Sequence, residues 1–167
     1  MSIRSLLKTF QLSNRMKRPP ASIRLAKLAD FDALLRLVEA YYKFDSIAFN
    51  ESVTGGALRR LLRDKSLGRV WVVDTGPRLG GYAILTYNYD LEFGGVEGLL
   101  TDMFIVSRYR RRGFGAEMIA AVRDFLRNAG VGALELQVTR ANRRARLFYQ
   151  RLGFKALDRV VMSLDID

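Results

Sequence analysis

The sequence predicts an α/β (α+β) fold in which strands and helices alternate irregularly along one domain. Three observations predict it. Apolar residues recur at 3.6-residue spacing in Phe31, Leu34, Leu35, Val38, Tyr41 and Tyr42, and again in Met118, Ile119, Val122, Phe125 and Leu126. Residues that are β-branched or aromatic cluster in Arg69–Asp74, Leu79–Tyr89 and Val96–Val106, and a period of two runs through Leu134, Leu136 and Val138. Turn residues separate these runs, Thr75-Gly76-Pro77 foremost, which reads as a hairpin.

In order, Ser22–Ala26 reads as a short strand. Asp30 is placed to cap the helix after it, and Asn50 to cap a second helix over Glu51–Arg63. Two hairpin-linked strands follow, then a long strand to Val106, a basic turn, and a helix ending near Asn128 before Gly130 and Gly132. A half-buried strand begins at Leu134, and a short helix spans Asn142–Leu152. Val160, Met162, Leu164 and Ile166 alternate as a last strand, and Phe154–Leu157 offers one more. The order is β-α-α-β-β-β-α-β-α-β.

At 167 residues the chain is long enough to bury a sizeable core as one domain, 22–167. Residues 1–21 read apart from it. Arg4, Lys8, Arg15, Lys17 and Arg18 precede Pro19 with no acidic residue among them. Some organellar transit peptides share that composition; an upstream extension with Met16 as the start is the reading taken here, with the domain in the cytoplasm.

The chain has no cysteine and no histidine. That excludes disulfides, thiolate metal sites and a cysteine nucleophile, and removes the commonest general base and metal ligand. No metal is expected, and acid–base work falls to carboxylates, tyrosines, lysines or water. No apolar run approaches the ~20 residues that span a bilayer, so no membrane partner is expected. The net charge of +11 attracts anions of any kind, nucleic acid included, and does not choose among them.

The most informative stretch is Arg108–Ala116, reading Arg-Tyr-Arg-Arg-Arg-Gly-Phe-Gly-Ala between a strand and a helix. The first amides of a helix lack internal partners, and the helix dipole places partial positive charge there. Gly113 and Gly115 let an anion approach the backbone. A solvated basic turn is the plain alternative. The lysine of a Walker loop is absent, and Met118 stands where a dinucleotide fingerprint needs a third glycine.

A second stretch, Asn142–Phe154, reads Asn-Arg-Arg-Ala-Arg-Leu-Phe-Tyr-Gln-Arg-Leu-Gly-Phe. Together the two resemble the GNAT superfamily of acyl-CoA-dependent N-acetyltransferases. Arg110–Gly115 match its Gln/Arg-x-x-Gly-x-Gly/Ala loop, and Asn142, Ala145, Phe148-Tyr149 and Leu152-Gly153-Phe154 match its later segment. The match is close from Leu99 to about Phe154, and upstream it rests on the order of elements.

The resemblance implies a mixed, largely antiparallel sheet with helices on both faces, and acetyl-CoA as cofactor. It places the pyrophosphate on Arg110, Arg111, Arg112, Gly113, Phe114, Gly115 and Ala116, and the pantetheine along Phe104, Ile105 and Val106, with Asn142 and Ala145 on the same arm. It implies that Tyr149 protonates the leaving thiolate. Asp102, an acid in an otherwise apolar strand, is the candidate base or water-positioner, because the family's earlier carboxylate position is Thr101 here. Glu92 is the other candidate.

The acceptor is expected to be an amine of a small molecule or peptide, with Tyr41, Tyr42, Tyr87 and Glu92 lining its site. Homodimer formation stays open. A basic nucleic-acid-binding domain, and a fold that holds acyl-CoA without turnover, are the alternatives. The first of these lacks a recognised nucleic-acid motif.

Overall fold

The computed structural model describes residues 21–166. Apart from Ala21, the expected N-terminal extension lies outside the described residues. The described chain divides into two compact units, one ending at Glu135 and the other beginning at Leu136.

The first unit holds β1 (Ser22–Leu25), α1 (Phe31–Asp45), α2 (Glu51–Arg63), β2 (Gly68–Asp74), β3 (Leu79–Asp90), β4 (Gly95–Ile105) and α3 (Phe114–Asn128). The sheet order is β1-β2-β3-β4-β5, with β5 at Leu134–Leu136. Each of the pairs β1–β2, β2–β3 and β3–β4 is antiparallel; short turns link the last two pairs, as antiparallel neighbours allow, while α1 and α2 lie between β1 and β2. Gly98 N–H donates to the Ala133 carbonyl just before β5, at 3.0 Å.

Alternation sorts the strand side chains onto two faces. Val70, Val72, Tyr82, Ile84 and Phe104 join Phe31, Leu34, Leu37, Val38, Leu58 and Leu62 of α1 and α2 in one buried cluster. On the other face Trp71 meets Phe125 of α3 edge to face at 5.4 Å. Met118, Ile119, Val122 and Leu126 of α3 are buried, each contributing about 1.5–3 kcal/mol by burial.

Asn50 caps α2 as its position predicts, accepting from Val53 N–H at 3.1 Å. Asp30 does not cap α1. Its carboxylate instead accepts from Lys27 N–H at 2.7 Å and from Arg24 at 2.8 and 2.9 Å. A charge-assisted pair with Arg24 outcompetes a neutral amide one turn away.

One irregularity positions the site. Ile84 pairs with Asp102, but Leu85 pairs with Leu100, so Thr101 is an extra residue in β4. This bulge reverses the strand's alternation. Gly98, before it, faces α3: a Cβ there would lie 2.7 Å from Leu126. Unbroken alternation would turn Asp102 to that same face. The bulge turns it to the face covered by α1.

The second unit carries α4 (Arg143–Arg151). Asn142 caps it, accepting from Ala145 N–H at 3.0 Å. Gly153 leaves the helix at φ +95°, and Phe154 N–H returns to the Tyr149 carbonyl at 3.1 Å, a glycine-based helix stop. The expected strands over Phe154–Leu157 and Val160–Ile166 are not formed among the described residues. Val160, Val161, Met162, Leu164 and Ile166 stand exposed. Alternation gives a segment two faces, but a strand also needs an edge to pair with. No helix among the described residues is long and apolar enough to cross a membrane.

Candidate active site

β4 runs out at Ile105, and a short 3₁₀ turn, Ser107–Tyr109, leads into the basic loop. Tyr109 anchors it, its hydroxyl donating to Thr75 Oγ1 at 3.4 Å and its ring meeting Phe114 at 6.5 Å. Arg108 and Arg112 lie over that ring at 4.8 and 5.9 Å. Arg111 takes a left-handed φ of +61° and Gly113 one of +89°. The helix then starts at Phe114 with no side-chain cap.

The first intrahelical bond is Glu117 N–H to the Gly113 carbonyl at 3.1 Å. The amides of Phe114, Gly115 and Ala116 precede it and lie at the positive end of the dipole. With exposed Arg111 and Arg112 beside them, these residues fit a pyrophosphate. The donors there would be backbone groups, which suit an anion.

Arg110 is engaged differently from its neighbours. Its Nε donates to the Ile105 carbonyl at 2.7 Å, and its guanidinium lies 5.0 Å over Phe44 and 5.5 Å over Phe104. Val106 N–H bonds Gly80 of β3 at 3.0 Å. In an antiparallel ladder alternate peptides face the same partner, so those of Phe104 and Val106 turn to β3, and those of Met103 and Ile105 to the opposite edge. Arg110 fixes the carbonyl at the end of that edge.

Sequence reasoning missed Glu117. Its Oε1 would lie 3.2 Å from a Cβ on Gly113, so its carboxylate leans over the anion cradle. Glu117→Gln is expected to tighten coenzyme A binding about two- to five-fold at low ionic strength, the usual size of one charge at a helix N-terminus. Isothermal titration checks this. Weaker binding would mean that Glu117 organises the loop instead.

Asp102 lies on the other side of β4's end, under α1. Burial pushes its carboxyl from 3.8 up to about 6. A cluster of rings gathers at Phe104, two residues along on the same face: Tyr41 and Phe104 lie 5.9 Å apart, Phe44 and Phe104 6.3 Å, and Tyr82 and Phe104 6.5 Å. Tyr41 and Tyr42 meet edge to face at 6.0 Å. Burial and, secondarily, the charge of Asp102 push the Tyr42 phenol up. An aromatic wall beside one carboxylate suits a cationic head on an apolar body. Phe44 and Tyr82 complete this wall; periodicity had marked Tyr82 only as part of an apolar strand.

Two expected acceptor residues are not brought to this place. Tyr87 pairs with Gly98, so it shares the α3 face rather than the face of Asp102. Glu92 sits in the 3₁₀ turn Leu91–Phe93 at the far end of the β3–β4 hairpin. Seven residues of strand separate Gly95 from Asp102, about 20 Å.

In the second unit, Tyr149 packs edge to face on Phe148 at 5.1 Å and on Phe154 at 5.5 Å. Burial pushes its phenol up to about 12. It therefore carries its proton at neutral pH and can act as a donor. Asn142 uses its side-chain oxygen on the helix cap, leaving the amide nitrogen to bind elsewhere.

The family model for the acetyltransferase (GNAT) family matches residues 32–154. The chain belongs to that family. The match spans both of the stretches described above, and the protein is an acetyltransferase. It is 25% identical over 134 residues to an uncharacterized N-acetyltransferase, YhfO, of Bacillus subtilis (strain 168), covering 80% of this chain and 89% of that one. An integron cassette protein, HFX_CASS3, from the mobile metagenome of Cole Harbour Salt Marsh superposes with a TM-score of 0.77. It shares 28% identity over 87% of this chain and 90% of its own. An aminoglycoside N-acetyltransferase, AAC(6')-Iy in complex with CoA, has the same fold at a TM-score of 0.77 and 17% identity, covering 87% of this chain and 94% of its own.

Proposed function

We propose that the protein moves the acetyl group of acetyl-CoA to a primary amine of a small molecule or peptide, by direct attack in a ternary complex. One observation carries this reading: the strand that ends in an uncapped, arginine-flanked helix N-terminus also presents a half-buried carboxylate within an aromatic wall.

The amides of Gly113–Ala116, with Arg111 and Arg112, hold the pyrophosphate. The side of Phe104–Val106 turned away from β3 holds the pantetheine. Acetyl-CoA supplies, when bound, an acetyl group activated as a thioester.

Asp102 takes the proton of the incoming ammonium. A free alkylamine has a pKa of ~10.4, so transfer to a carboxylate at about 6 is uphill by ~4 units. Burial has narrowed that gap by raising Asp102 from 3.8 to about 6, roughly 3 kcal/mol at 1.36 per unit. The remainder makes deprotonation an unfavourable pre-equilibrium within the complex, so turnover rises with pH as Asp102 ionises, around pH 6. Once the carbon–nitrogen bond has formed, water takes the second nitrogen proton, and Tyr149 gives its proton to the departing sulfur.

A thiol-release assay with acetyl-CoA and a panel of amines, amino acids, peptides, aminoglycosides and polyamines tests this. At least one amine is expected to support release; none doing so would leave the non-catalytic reading. Tyr149→Phe is expected to lower turnover by about 10²-fold while leaving acetyl-CoA affinity within about two-fold, because only the donor is lost. Unchanged turnover would make Tyr149 a packing residue.

A further inference from the structure

Tyr82 of β3 is fully buried, and its hydroxyl has no hydrogen-bond partner among the described residues. A phenylalanine would fill the same space without leaving a buried polar group unpaired. The register shows what the hydroxyl is near. Tyr82 pairs with Phe104 and Ile84 with Asp102, so Tyr82 and Asp102 are diagonal neighbours on one face, about 7–8 Å apart and within reach of a long side chain. Asp102 takes part in none of the ion pairs or hydrogen bonds found among the described residues. Two groups that each need a partner thus lie side by side, one a donor and the other an acceptor.

We propose that Tyr82 is a positioning residue for Asp102, its hydroxyl donating to the carboxylate in the loaded site and holding it charged and aimed at the amine. The inference rests on Asp102 being the base. The proton moves from the ammonium nitrogen to a carboxylate oxygen and on to solvent; Tyr82 keeps its own proton throughout. A hydrogen bond to the charged form of a carboxyl favours that form.

Other groups also face Asp102. From α1 come the phenols of Tyr41 and Tyr42, and Tyr42 lies in the Phe49 contact at 6.0 Å. From the loop comes Arg110, whose Nε is held by the Ile105 carbonyl. Farther along β4 on the same face, Glu97 is buried and accepts from Asn88 at 2.7 Å.

The test is the pH dependence of kcat/KM for the best amine in wild type, Tyr82→Phe and Asp102→Asn, with carboxyl NMR titration of Asp102 in the first two. Removing a donor to the charged form raises a carboxyl pKa. The acid limb and the NMR midpoint are both expected to move up by about half to one pH unit in Tyr82→Phe. The KM for acetyl-CoA should not change, and the thermal midpoint should hold or rise. An unmoved NMR midpoint overturns the proposal, even in an inactive enzyme. An unmoved limb with Asp102→Asn abolishing it does the same. If Asp102→Asn leaves the limb in place, the base assignment itself fails.

Discussion

Asp102→Asn is expected to lower kcat on a competent amine by about 10²–10³-fold at neutral pH and to recover part of that loss above about pH 9. Asparagine keeps the size and the polar contacts but takes no proton, so the substrate must arrive neutral. Near its own pKa of ~10.4 it increasingly does. The variant should also differ in stability, with a sign that can be worked out. Burial raises the folded carboxyl from 3.8 to about 6, so between those values the folded state binds more protons than the unfolded one. Wild-type stability therefore falls as pH rises from about 4 to about 6. Asp102→Asn carries no such term, and the gap in thermal midpoint between the two should widen across that window. A variant with wild-type turnover at pH 7 would remove Asp102 from the chemistry.

Gly113→Val is expected to abolish the rise in thermal midpoint that acetyl-CoA gives the wild type. A ligand at 100 times its Kd stabilises the fold by about 2.7 kcal/mol, several degrees for a protein of this size. Gly113 sits at φ +89°, a conformation that strains a β-branched residue by about 1–3 kcal/mol. Its side chain would also stand between the anion and the amides of Phe114–Ala116. The ligand-free variant should melt lower for the first reason, so the shift is read against the variant's own midpoint. Gly113→Ala, with the same φ and a smaller side chain, should keep part of the shift. A full shift in the valine variant would move the pyrophosphate off this loop.

Much of this was legible along the chain because it is local. Asn50 and Asn142 cap the helices that follow them, since a cap needs only a side chain and amides within one turn. The anion loop was legible for the same reason: strand, glycine and helix start are neighbours in sequence. Asp30 failed as a cap because its better partner, Arg24, lies outside its own helix. Glu117 was missed although it is adjacent to the loop; an acid in a first turn is ordinary, and only its lean over Gly113 gives it a part.

What the sequence by itself determined is the family, the order of its elements down to α4, and the chemical inventory: arginines and glycines for an anion, carboxylates and tyrosines for protons, no imidazole or thiol. What only the tertiary structure decided is which of these meet. Period-two alternation tells which residues share a face, but a single extra residue at Thr101 inverts it, and bulges belong to the pairing of two strands rather than to either one. That inversion puts Asp102 on the face of Tyr82 and Phe104 and leaves Tyr87 on the other face. The same reason governs Val160–Ile166: alternation marks the segment, but backbone hydrogen bonds make a strand, and their partners lie elsewhere in the chain.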